Sequence, residues 1–227
     1  MDNLEKNLRE IITDNNNMLE SECSKLLNKY NINDIDCNDI GFIFDDSSKM
    51  LNHCPCKFIK DYERSRNELS KKIRINIQSV EKRKNQSKVF KTGTKSGCWI
   101  WGKAGLGKTT ITAKIVDSII KDAAFKCVHK TFSWYSKRQL KEKFFARWEK
   151  GNPVVFNTDI VVFSYIDQGR FTEEQEESFL QSLIDIKHSH VLITSSCNIS
   201  DFSKKFNLID KGLLVNTIRG LCVECQM

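Results

Sequence analysis

The sequence predicts an α/β fold, a parallel sheet with flanking helices, preceded by a smaller, mainly helical module. Three observations predict it. The second half of the chain alternates short β-branched and aromatic runs with helical stretches, as a buried parallel sheet and its covering helices require. A glycine-rich stretch, Gly102 to Thr110, falls between the first of those apolar runs and the first of those helices. The first half lacks the alternation and differs in charge: residues 1–56 carry 5 Lys/Arg against 11 Asp/Glu, residues 57–95 carry 13 against 4, and residues 96–227 carry 18 against 14.

These shifts divide the chain into an N-terminal helical, cysteine-bearing module (1–56), a basic helix and linker (57–95) and an α/β domain (96–227). With 227 residues, 40% of them hydrophobic, the chain can bury one ordinary core plus an appendage. No N-terminal stretch has the order of a signal peptide, and runs such as Ile160 to Ile166 are too short to cross a bilayer. The expectation is a cytoplasmic protein with no membrane partner. Nine cysteines are an odd count, which without a secretion signal points to reduced thiols or metal ligands rather than a disulfide framework.

Residues 1–30 read as helical, with Leu4, Leu8, Ile11 and Ile12 on one face and Leu19, Cys23, Leu26 and Leu27 continuing after Asn15 to Asn17. Residues 31–56 are turn-rich. Residues 57–90 read as a long polar helix with an apolar stripe through Phe58, Ile59, Tyr62, Leu69, Ile73 and Ile77, broken by "KTGTKSG". Its positive charge suits either the phosphates of a nucleic acid, through counterion release, or a solvated lysine-rich face. Strands are expected at Cys98–Trp101, Cys127–Ser133, Ile160–Ile166 and His190–Thr194, with a last one near Leu213–Thr217. Helices are expected at Lys108–Ala123, Lys137–Trp148 and Thr172–Lys187.

Gly102-Lys103-Ala104-Gly105-Leu106-Gly107-Lys108-Thr109, followed by Thr110, matches G-x-x-x-x-G-K-[ST] between a strand and a helix, the signature of a P-loop NTPase. Glycines let main-chain N–H groups turn inward around a phosphate, and the helix start adds its partial positive charge. Lys108 is expected to reach the β- and γ-phosphates of ATP, and the Thr109 hydroxyl to hold Mg²⁺. "IVVFSYID" supplies Asp167 as the strand-end acid that steadies Mg²⁺. The next residue is Gln168, which can orient water but cannot take a proton, so slow turnover is expected. Thr194, Ser196 and Asn198, after a further core strand, are candidates to sense the γ-phosphate or simply to form a turn. Arg219 is a candidate finger toward a neighbouring subunit's nucleotide, which would require a homo-oligomer. Phe132, Trp134 and Tyr135 can stack on bases or pack in a core.

Cys54-Pro55-Cys56, with Cys37 upstream, offers three soft ligands for a tetrahedral Zn²⁺. Asp34 stands where the first member of a C-x-x-C pair would be, with Cys23 and His53 as other fourth ligands. Buried thiols are the alternative. Cys222 and Cys225 read as two core-facing cysteines on a last strand.

"CNDIGFIF" followed by "HCPCKFIKDYERSR", then "WIWGKAGLGKTT", "KTFSWYSKRQLKEKF", "DIVVFSYIDQG", "TEEQEESFLQSLIDIK" and "VLITSSCNISDF", resembles the bacterial and phage replicative helicase loaders of the DnaC/DnaI type and the related IstB-type transposition helper ATPases. Arg219-Gly220-Leu221 falls where those proteins carry a Ser-Arg-Leu finger motif. The resemblance implies an AAA+ module that binds ATP, contacts single-stranded DNA and grips a replicative helicase through its N-terminal region. It departs from the family where paired acids are expected, at Ile166-Asp167 or Asp167-Gln168, and where Thr194-Ser195-Ser196 replaces Thr-Ser-Asn. The expected function is a helicase loader or DNA-replication accessory ATPase. A non-hydrolysing nucleotide-binding adaptor and a small viral-type nucleic-acid helicase are the alternatives.

Overall fold

The cysteine-bearing segment closes into a hairpin and then opens a helix. The computed structural model describes residues 27–30, 42–45, 50–74, 86–150, 154, 156–186, 189–207 and 210–227. By packing the chain divides into two units, residues 1–65 with 121–129 and residues 66–120 with 130–227. In the first unit β1 (Phe42–Asp45) pairs antiparallel with β2 (Met50–His53). Helix α1 (Pro55–Ile73) follows at once. Pro55 stands at its first position, where no N–H is needed, and the Cys54 sulfur accepts from the Cys56 N–H at 3.4 Å. Cys54 and Cys56 pack with Leu27 and Ile59 into a small core that Tyr30 and Phe125 flank.

The Cys-Pro-Cys stretch therefore has a structural role as the cap of a helix. Among the described residues no group of three or more His, Cys, Asp and Glu could hold a metal ion. Asp34, Cys37 and Cys23 lie outside the described residues. The long helix expected over 57–90 is described as two pieces, α1 and α2 (Gln86–Gly93). Arg74, with φ 54°, follows the end of α1, and Ile77 lies outside the described residues.

The second unit holds the sheet. Its strands are β3 (Cys98–Trp101), β4 (Phe132–Ser136), β5 (Ile160–Ser164), β6 (His190–Ser195) and β7 (Val223–Gln226), in the order β4-β5-β6-β3-β7. Every pairing is parallel. All five C-terminal ends therefore meet along one edge, the edge where open α/β sheets bind ligands. The connecting helices are α3 (Lys108–Phe125), α4 (Lys137–Lys150), α5 (Glu173–Asp185), the short α6 (Ile199–Ser203) and α7 (Lys211–Leu221).

Alternation along the strands separates two faces. Trp99, Val161, Phe163, Val191 and Ile193 join a cluster with Phe144, Phe179, Phe202, Leu214 and Ile218 of the helices, while Ile100, Val162 and Leu192, one residue out of phase, are equally buried. Trp99 packs on Phe202 at 5.0 Å between centroids and donates its indole N–H to the Cys197 carbonyl at 3.0 Å. At Gly97 an added Cβ would collide with the Leu221 carbonyl, so only glycine lets the end of α7 lie against the start of β3.

Three expected strands shift, each for a local reason. Residues 126–128 are not strand: Cys127 has φ 54°, and the N–H groups of Lys126, Cys127 and Val128 donate back to Ala123 and Ala124. They finish α3 in the left-handed manner common at helix ends, and the strand starts only at Phe132. β5 stops at Ser164 rather than Ile166, because Tyr165 turns to φ 53°. The stretch Leu213–Thr217 is helical, not extended. Asp210 accepts from the Leu213 N–H at 2.7 Å, and the buried residues are Leu214 and Ile218, four apart. The last strand is β7, with Val223, Glu224 and Gln226 exposed. Cys222 closes α7 before β7 begins, so of the pair only Cys225 lies on the strand.

Candidate nucleotide-binding site

The loop from Gly102 to Gly107 joins β3 to α3 at the C-terminal edge of the sheet. Gly105 and Gly107 have φ of 82° and 85°, a region costly for any residue with a Cβ. At Gly105 an added Cβ would meet nothing within 4 Å. Backbone conformation, not crowding by the protein, requires glycine there. Lys103, Ala104 and Gly105 are exposed and Leu106 is half-buried.

Lys108 is the first residue of α3 and only 4% exposed. Its ammonium donates to the Gly102 carbonyl at 2.6 Å and to the Lys103 carbonyl at 2.8 Å. Burial lowers its pKa, and the charge of Asp167 partly offsets this. A cation held by two carbonyls at the mouth of a glycine loop can exchange them for phosphate oxygens. Thr110 stands one residue beyond Thr109 in α3, half-buried, and Thr112 returns its hydroxyl to the Lys108 carbonyl at 2.8 Å.

The hydroxyl that meets Thr109 is that of Tyr165, at 2.7 Å. Tyr165 is held from β6: its N–H donates to the Thr194 hydroxyl at 2.9 Å, and the next N–H, of Ile166, donates to the Thr194 carbonyl at 3.2 Å. Thr194 thus clamps the turn after β5. That turn places a phenol, not a carboxylate, opposite the first hydroxyl of α3.

Asp167 lies two residues on, nine-tenths buried. Its Oδ2 accepts from the Ser196 hydroxyl and faces the Lys205 ammonium at 3.7 Å. Its Oδ1 is buried without a hydrogen-bond partner. Burial pushes the carboxyl upward, but the hydrogen bonds from Ser196 and the Lys205 charge bring it below the usual range. Lys137, immediately after β4, donates to the Gly169 carbonyl at 2.6 Å and lies 4.0 Å over the Phe171 ring. Burial first, then the neighbouring Lys141, lowers its pKa to about 8.

The remaining expected site residues divide. Ser196 reaches Asp167, whereas Asn198 is engaged in capping α6: its Oδ1 accepts from the Asp201 N–H at 2.7 Å and its Nδ2 donates to the Asp201 carboxylate at 2.9 Å. Gln168 is exposed. Arg219 is exposed in the last turn of α7, which ends beside Gly97, at the edge of the sheet opposite its own P-loop. Trp134 is buried and donates to the Ser164 hydroxyl at 3.1 Å, and Tyr135 packs on Phe156 at 5.2 Å. Sequence reasoning missed Tyr165, Lys137 and Lys205. The first two sit immediately after strands, the positions from which a parallel sheet presents side chains to a ligand.

The donor set fits a triphosphate tail: inward-turning glycines, a buried ammonium and a helix start share one place. For a divalent cation the fit is divided, since Thr109 faces a phenol and the orphaned acidic oxygen belongs to Asp167.

Domain III of the Thermotoga maritima replication initiation protein DnaA superposes with a TM-score of 0.52 at 12% identity, over 67% of this chain and 66% of that one. The chain carries a P-loop NTPase fold, a parallel five-stranded sheet with flanking helices. The DnaI structure aligns at TM-score 0.48 and 13% identity, over 69% of this chain and 89% of that one. The DnaC helicase loader aligns at 0.45 and 15%, over 72% and 90%. The RNA helicase family matches residues 98–208, just under half of the chain. No curated protein matches the chain significantly by sequence. No helix among the described residues is long and apolar enough to cross a membrane.

Proposed function

We propose that this protein is an ATP-binding accessory ATPase of DNA replication, of the helicase-loader kind, with slow turnover. The observation that carries nucleotide binding is the buried Lys108 ammonium held between the Gly102 and Lys103 carbonyls. Bound ATP supplies a γ-phosphate whose presence or loss can switch the protein between states of different affinity. Lys108 would hold the β- and γ-phosphates, the glycine loop would wrap the β-phosphate, and Ser196 and Asp167 would lie at the γ-phosphate side. Arg219 could serve only another subunit's nucleotide, so a homo-oligomer belongs to this reading.

Slow turnover follows from Gln168, whose amide can orient water but cannot take its proton. The replication role is supported by the likeness to a replication initiator's domain and by the 13 basic residues of 57–95, which suit a single-stranded DNA backbone. A replicative helicase as partner is part of the proposal on the resemblance alone.

The family match over residues 98–208 favours a second reading, a small nucleic-acid helicase. ATPase assays with and without single-stranded DNA, beside a duplex-unwinding assay, separate the two. Weak, strand-stimulated turnover without unwinding supports the loader. Unwinding by the protein alone supports the helicase, and tight ATP binding with no turnover supports a non-hydrolysing adaptor.

A further inference from the structure

A groove of about 900 Å³ runs between α4, α5 and the start of α7. Its lining includes Phe145, Leu180, Ile184 and Leu213 together with Glu174 and Glu177. Phe145 is 56% exposed, Leu213 43% and Ile184 37%, which makes half of the six exposed large hydrophobics among the described residues neighbours in one groove. Such clustering marks an interaction surface, whereas scattered exposed apolar residues do not. With those three lining residues exposed, the groove is too open to enclose a small molecule, which a ligand pocket would largely bury.

Charge decides the occupant. No lysine or arginine is among the described residues lining the groove. Helix α5, "EEQEESFLQSLID", carries five acids and no base, on a chain of net charge +7. Lys141 and Lys143 of α4 sit over the Phe171 and Phe156 rings instead. A second copy using the same groove would set acid against acid in an isologous pair, which disfavours self-pairing. We propose that this groove docks an amphipathic helix of another protein, with apolar anchors at i, i+3 or i+4 and i+7 and a lysine- or arginine-rich flank.

No residue of the P-loop lines the groove, so it stands or falls independently of nucleotide binding. The test uses the full chain and two fluorescein-labelled 18-residue helical peptides of identical pattern, one leucine/lysine and one leucine/glutamate, read by anisotropy. The lysine peptide should bind at least about tenfold more tightly than the glutamate peptide. Ile184→Asp and Phe145→Asp, both at exposed sites, should each weaken it about tenfold. Glu174→Gln with Glu177→Gln should weaken it and flatten its salt dependence. Equal binding of both peptides, or affinity indifferent to all these variants, overturns the proposal. So does sedimentation showing a wild-type dimer that Ile184→Asp dissociates, since the groove would then serve a second copy.

Discussion

The Tyr165 hydroxyl stands 2.7 Å from the Thr109 hydroxyl, so the residue after β5 meets the start of α3 with an uncharged group. One neutral hydrogen bond contributes about 1 kcal/mol net. Tyr165→Phe should free the Thr109 hydroxyl for a metal and raise magnesium-dependent ATP affinity about fivefold, as read by calorimetry. Unchanged or weaker affinity would show that the phenol supports the site rather than competing for it.

Ser196 keeps a buried carboxylate charged. Because the folded pKa of Asp167 is depressed, its contribution to stability is present above the unfolded value of about 3.9 and is lost as pH falls through the folded value. Ser196→Ala leaves burial to act alone. Urea unfolding at pH 7 should show a loss of roughly 2 kcal/mol, the scale of a hydrogen bond to a charged group. At pH 3 the loss should shrink, and an equal loss at both values would contradict the assignment.

Lys137 has the opposite sign. Its folded pKa of about 8 lies below the ordinary lysine value of 10.5, so the unfolded chain binds more protons between those values and stability rises with pH there. Each pH unit between the two values contributes about 1.36 kcal/mol, which makes the gain across that window roughly 3 kcal/mol. Subtracting the pH profile of Lys137→Met from that of the wild type isolates it. A flat difference from pH 8 to 10 would place the proton elsewhere.

Arg74 occupies a left-handed conformation, φ 54°, directly after α1, where glycine is preferred. Arg74→Gly should stabilise by about 1 kcal/mol and raise Tm by about 2–4 °C. A fall in Tm would mean that the arginine side chain outweighs its backbone strain.

Much of this architecture was legible in the residues. The P-loop reads directly because glycine, lysine and threonine have few other reasons to occur at that spacing between a strand and a helix. Helix α5 reads because Phe179, Leu180, Leu183, Ile184 and Ile186 recur at helical spacing, and in the structure Thr172 and Gln175 close its start with a capping box. What failed were segments governed by helix ends. Cys127 and Val128 look like the start of the strand expected over Cys127–Ser133 yet serve to close α3, and Leu213–Thr217 looks extended until Asp210 is recognised as a cap. Strand β7 was read in part, through Cys222 and Cys225 as core-facing residues of a last strand, but Cys222 closes α7 and the exposed four-residue edge strand buries only Cys225. Asp167 was placed by counting acids along a strand, but the strand ends three residues earlier, and the left-handed turn at Tyr165 passes the contact with Thr109 to the phenol.

Main-chain amides and the Lys108 ammonium together are expected to grip the tail of ATP, and the proposed accessory-ATPase function depends on that grip. Titration calorimetry of the full chain with ATP and magnesium, repeated with Lys108→Ala, tests it most directly. Saturable, one-to-one binding by the wild type, weakened at least about tenfold in a variant of unchanged circular dichroism, is the predicted result. Absence of binding by the folded wild type, or equal binding by the variant, would contradict it.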